Sequence, residues 1–167
     1  MIPPFTSGGD LPPGVHWTTW QIFADRFGTA TYRRELLRGL KEALDSLKAA
    51  GCQAVYVDGS FVTAKKIPGD FDACWDVSGV DASLLDPVFL NFDRGRAAQK
   101  ARFGGEFFPA QLPEGSSGVT FLEFFQINKE TGLPKGIAAM DLTSLPAQRH
   151  DRPYRGRGLR PGLALRV

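Results

Sequence analysis

Val57-Asp58-Gly59-Ser60-Phe61-Val62-Thr63-Ala64-Lys65-Lys66-Ile67-Pro68-Gly69-Asp70-Phe71-Asp72 decides the fold, because a β-rich run breaks at Gly-Ser and an acidic pair follows it. Gly59 has no Cβ, so the backbone there can approach a ligand closely, and Ser60 offers an N–H and a hydroxyl to a phosphate oxygen. If Phe71 lies in a strand, alternation puts Asp70 and Asp72 on one face and Phe71 in the core. Two carboxylates on one face repel each other unless a cation sits between them. Oxygen ligands of this kind suit Mg²⁺ or Mn²⁺ carrying a triphosphate.

Outward from this stretch, Ala54–Val57 reads as the strand entering the turn and Phe71–Trp75 as the strand leaving it. Upstream, Leu36, Leu37, Leu40, Ala43, Leu44 and Leu47 recur at helical spacing within Tyr32–Ala50, and Gly51 is placed to close that helix. A shorter helix is expected over Thr18–Phe27, where Trp20, Phe23 and Phe27 share a face. Pro3-Pro4, Gly8-Gly9 and Pro12-Pro13-Gly14 exclude a regular helix before it, so residues 1–15 read as an extended, Pro-rich arm.

Downstream, Asp86–Phe103 reads as a helix weakened at Gly95 and closed by Gly104-Gly105. Val119–Ile127 is dense in Phe and Ile and reads as a buried strand, with Ile137–Leu142 its hairpin partner across the Lys129–Lys135 turn. The set implies an α+β fold, a mixed sheet with helices packed on one side.

With 167 residues, 43% hydrophobic and 11% aromatic, the chain has the size and composition of one domain with its own core, which excludes a disordered chain. The expected domain is 1–148. Residues 149–167 carry six Arg against one Asp, so this tail is +5 and the rest −3 of a net +2. Such a tail suits a phosphate backbone or an acidic partner, or is simply solvated. Cys52 and Cys74 lack metal-knuckle or redox spacing and read as buried thiols in a reducing cytoplasm. No stretch approaches the ~20 apolar residues that span a bilayer, so a cytoplasmic protein without a membrane partner is expected.

Gly-Ser, a spacer of this length and Asp-x-Asp on a strand resemble the signature of the nucleotidyltransferase superfamily, which includes polymerase-β-like and minimal enzymes. Leu11-Pro12-Pro13-Gly14-Val15-His16, Asp58-Gly59-Ser60-Phe61-Val62-Thr63, Pro68-Gly69-Asp70, Phe124-Phe125-Gln126 and Lys135-Gly136-Ile137 more narrowly resemble an uncharacterised bacterial family, domain of unknown function 6932. The resemblance spans about Ile2 to Leu145 and implies NTP as substrate, Mg²⁺, and transfer of a nucleoside monophosphate to RNA (including tRNA) or to protein. Small bacterial relatives of the superfamily often belong to toxin–antitoxin or phage-defence pairs, which implies a cognate partner protein.

The superfamily also needs a third carboxylate on a neighbouring strand. Glu123, inside the expected apolar strand, is the candidate because a buried carboxylate is costly unless paired or metal-bound, and Asp141 is the alternative. Lys65, Lys66 and Lys135 are candidate triphosphate contacts beside Gly59 and Ser60. Asp58 and Gln126 could position substrate or satisfy buried backbone. His16 reads as a packing residue. Two further functions fit the same residues: a catalytically silent NTP- or metal-binding module that regulates a partner, and an oligomer clasped by the arm.

Overall fold

Strands at the centre of the sheet carry apolar side chains at alternate positions, and this alternation sorts the molecule into a sealed face and a partly open one. The structure is a computed structural model and describes residues 1–146. Its elements are β1 (Gly14–Thr18), α1 (Trp20–Phe27), α2 (Thr31–Ala49), β2 (Ala54–Asp58), β3 (Phe71–Trp75), α3 (Asp93–Phe103), β4 (Gly105–Pro109), α4 (Phe121–Phe124) and β5 (Gly136–Asp141). Single 3-10 turns follow β2, precede α3 and follow β5. The sheet order is β1-β5-β2-β3-β4, with β1 parallel to β5, β3 parallel to β4, and β2 antiparallel to both of its neighbours. The architecture is α+β with a mixed sheet, as the sequence implies.

On the sealed face, Val55, Val57, Phe71, Ala73, Phe107, Ala138 and Met140 meet the apolar stripe of α2, with Phe23 and Phe27 of α1 and Phe103 of α3. Leu40, Leu44 and Leu47 are wholly buried, which is why the helical period was legible. Gly51, at φ 94°, closes α2, and a Cβ there would fall 2.6 Å from the Gly79 carbonyl oxygen. The smaller cluster on the other face joins Cys74, Phe108, Ala110 and Ile137 to Phe125 and the half-buried Phe121, Leu122 and Phe124.

Three expectations are corrected. Residues 121–124 form a helix, not a strand, because Thr120 and Glu123 make a reciprocal capping box: the Thr120 hydroxyl accepts from the Glu123 N–H and the Glu123 carboxylate accepts from the Thr120 N–H. Ile137–Asp141 therefore has no hairpin partner in that segment and lies between β1 and β2. Gly14 and Val15 belong to β1 rather than to an arm, and Ile2 and Leu11 are buried in the core. Trp17 of β1 is 52% exposed and packs edge-on against Tyr56. Two strands, β1 and β4, were not anticipated. Both pair in parallel with strands distant in sequence, which no local pattern announces. The Arg-rich tail lies outside the described residues. Among the described residues no helix is long and apolar enough to cross a membrane.

Candidate functional site

Strand register assembles the site. Asp58 of β2 stands opposite Asp72 of β3, and Asp72 stands opposite Glu106 of β4, so three carboxylates form one row across the open face. The residue after each of the last two, Ala73 and Phe107, points into the sealed core, so the alternation of the strands holds the row in place. Asp70, half-buried just before β3, adds a fourth acid close enough to act on Asp72.

Both ends of the row are neutralised, and its middle is not. Lys135, immediately before β5, places Nζ 2.9 Å from Asp58 Oδ2, with the carboxyl 4% exposed. Burial pushes the Asp58 carboxyl up, and the Lys135 ammonium works against that rise. At the other end, Glu106 Oε1 lies 2.7 Å from Lys100 Nζ and 3.1 Å from Arg96 Nε. Burial would raise the Glu106 carboxyl, yet these two cations hold it below the usual carboxylate range. Arg96 gets there through a left-handed turn: Arg94, Gly95 and Arg96 have φ of 49°, 63° and 62° at the start of α3. Such a conformation in a non-glycine residue costs roughly 1–2 kcal/mol.

Asp72 has no cation beside it among the described residues. Burial first, then the charges of Asp70, Glu106 and Asp58 and a hydrogen bond with Glu106, push its carboxyl up to about 7. Asp72 is thus the acid of the row whose negative charge is least offset. Gly59, at φ 79° after β2, is needed here: a Cβ would lie 2.7 Å from Asp72 Oδ2. Ser60 follows in the 3-10 turn, half-buried, with its carbonyl accepting from the Thr63 hydroxyl at 2.8 Å.

A cleft of about 430 Å³ opens beside Asp72 and Glu106 and is walled by Phe92, Phe108, Phe121, Phe124 and Phe125. Phe108 and Phe121 stack at 4.7 Å between centroids, Arg96 lies 5.0 Å over the Phe108 ring, and Lys129 lies 5.4 Å over Phe124. Phe121 and Phe124 remain half-buried, so ring surface faces the cleft. A pocket of this size, aromatic on one side and charged on the other, suits a ligand with a flat unsaturated ring and an ionic end.

The residues expected at the site are distributed differently. Asp70, Asp72, Gly59 and Ser60 come together. Glu123 does not lie in a buried strand: it is exposed and its carboxylate is engaged in the capping box, so the in-register third acid is Glu106. The cue for Glu123 was Thr-x-x-Glu. The cue for Glu106 was Gly-Glu-Phe-Phe-Pro after a helix stop, one crossover beyond Asp72. Asp141 caps the turn after β5, accepting from the Thr143 N–H and hydroxyl, which hold its carboxyl low. Lys135 is committed to Asp58, while Lys65 and Lys66 line a different pocket. Gln126 donates to the Leu122 carbonyl, and His16 Nε2 lies 2.6 Å from the Pro12 carbonyl oxygen.

The donor set is all carboxylate, the chemistry that suits Mg²⁺ or Mn²⁺, and burial and the neighbouring acids raise the Asp72 carboxyl. Among the described residues no three His, Cys, Asp or Glu side chains are gathered as a ready cation cage. Asp70, Asp72 and Glu106 come nearest to such a donor set, and Glu106 is already paired with Arg96 and Lys100.

Fold and site thus define an α+β domain with an acidic row at the edge of an aromatic cleft. Residues 3–141 match the family described as a family of unknown function, DUF6932, and the chain belongs to that family. No curated protein and no solved structure matches the chain.

Proposed function

We propose that this chain is a nucleotidyltransferase of the polymerase-β-like, minimal type, which binds an NTP with its base in the Phe cleft and its phosphates at the carboxylate row. The supporting observation is Asp72, a nearly buried carboxyl that lacks a cation and opens into an aromatic cleft. The parallel β3–α3–β4 crossover sets Glu106 beside it, and the Gly59-Ser60 turn supplies amide and hydroxyl donors for phosphate. Mg²⁺, when bound by Asp70, Asp72 and Glu106, would offset phosphate charge as the α-phosphorus is attacked. The acceptor is a hydroxyl or phosphate oxygen of RNA or of a protein. Its bond to the α-phosphorus forms as the bond to the bridging oxygen breaks, and pyrophosphate leaves with that electron pair. A hydroxyl acceptor gives its proton to a carboxylate of the row. The Phe walls orient the base and exclude water from the reacting end.

One observation favours a second reading, an NTP- or metal-binding module without turnover that regulates a partner. Glu106 is already held by Arg96 and Lys100. The test is incubation with each α-³²P-labelled NTP, Mg²⁺, RNA and lysate, with wild type beside a variant carrying Asp70→Asn and Asp72→Asn. Label on RNA or protein with wild type alone is the expected result. Mg-dependent nucleotide binding without any label would establish the silent module, and no binding at all would end both readings.

A further inference from the structure

We infer that a second pocket, between the end of α1, the start of α2 and the Thr63–Lys66 loop, binds phosphate groups independently of the carboxylate row. Its volume is about 380 Å³, and it shares no lining residue with the Phe cleft. Arg26, Arg33, Lys65 and Lys66 line it, and no Asp or Glu does.

Arg33 carries the argument. Its residue is 5% exposed, and the guanidinium is fixed by backbone carbonyls. Nη1 donates to Phe27 at 3.3 Å and to Phe61 at 2.9 Å, and Nη2 donates to Lys65 at 2.6 Å. The group also lies 5.0 Å over the Phe61 ring. Three of its N–H groups are thereby used, and a guanidinium has five. None of its partners is an anion, so a buried positive charge is left without a counter-charge among the described residues. Desolvation alone pushes its pKa down, the sign of that deficit.

Several other cations of the molecule are paired with acids. Lys41 pairs with Asp45, Arg102 with Glu42 and Asp86, Lys135 with Asp58, and Lys100 with Glu106. Arg26, Lys65 and Lys66 make no ion pair among the described residues, and they ring the fixed guanidinium. A fixed guanidinium fork in one pocket with three exposed cations, and Thr63 in the wall, is the chemistry of phosphate recognition. The phosphate could come from a nucleic-acid backbone or from a free polyphosphate.

The experiment uses the full chain in EDTA, so that the carboxylate row cannot recruit phosphate through a divalent ion. A labelled 12-nucleotide single-stranded RNA is titrated by anisotropy at several salt concentrations. Tripolyphosphate is titrated separately by calorimetry. Wild type is compared with the triple variant Arg26→Gln, Lys65→Gln, Lys66→Gln, whose exposed side chains leave the core untouched. For RNA the expected result is at least a tenfold loss of affinity, with the log–log salt slope shallower by about 2, since three cations each contribute roughly 0.7. Loss confined to tripolyphosphate would identify the source as free polyphosphate and uphold the site. As a second readout, saturating tripolyphosphate should shield Lys65 and Lys66 from acetic anhydride, read by mass spectrometry. Equal binding by wild type and the triple variant, with no shielding, would overturn the inference.

Discussion

The two faces of the sheet are built from the same strands and do opposite work. On the sealed face the inward residues Val55, Val57, Phe71, Ala73, Phe107, Ala138 and Met140 join the apolar side chains of the helices in one buried cluster, with Arg33 at its margin. On the open face the alternate positions of those strands carry Asp58, Asp72 and Glu106 next to Tyr56, Cys74 and Phe108, covered in part by the single turn of α4, by Trp17 and by Phe92. One face is optimised for packing. The other tolerates an acid crowded by neighbouring acids, a left-handed turn at Arg94–Arg96 and open ring surface, the kinds of departure that collect at functional sites.

Phenylalanines on the two faces give the sharpest contrast. Phe107, fully buried between Phe71, Phe89 and Phe103, should cost about 3–5 kcal/mol on truncation to Ala, measured by urea unfolding. Phe121→Ala should cost far less stability, yet weaken nucleotide binding by roughly 1–3 kcal/mol if a base stacks there. Equal stability losses at both positions would erase the distinction between the faces.

Next in size is the end of the row. Lys135→Met strands the buried Asp58 carboxylate and should destabilise by about 3–5 kcal/mol, with Asp58→Asn in the same chain restoring most of it. Failure of the second substitution to rescue would show that the Lys135 ammonium matters for something other than Asp58.

Asp72 itself should respond to pH. Its folded pKa of about 7 lies above the ordinary carboxyl value, so the folded state holds the proton more tightly than the unfolded one. Its contribution is therefore most favourable in acid and is lost as pH rises from about 4 through 7, a swing of roughly 2–4 kcal/mol. Asp72→Asn should remove that slope and stabilise the protein at pH 8, while the nucleotidyl transfer proposed above falls on the order of a hundredfold or more. Unfolding curves at pH 5 and pH 8 for both proteins check the first part, and a variant less stable than wild type at pH 8 would contradict it. The smallest effect belongs to Glu123→Gln, which loses only part of an exposed cap. Transfer and nucleotide affinity should be unchanged, and a large loss of either would return Glu123 to the site.

What the sequence by itself determined lies where the signal is local. The leucine stripe of α2, the stop at Gly51, the strands around Gly59-Ser60 and the shared face of Asp70 and Asp72 all follow from side-chain period and backbone freedom within a few residues. The tertiary structure alone decided which acids stand together. Glu106 joins Asp72 through parallel pairing of β3 with β4 across the α3 crossover, and Lys135 reaches Asp58 from 77 positions away. The segment of Glu123 looked like a strand because its Phe side chains are apolar. It became a helix because Thr120 and Glu123 satisfy each other's backbone, and the places beside β5 are held by β1 and β2. Parallel pairing requires a long intervening connection, so partners are selected by the packed core of the whole chain rather than by neighbouring residues.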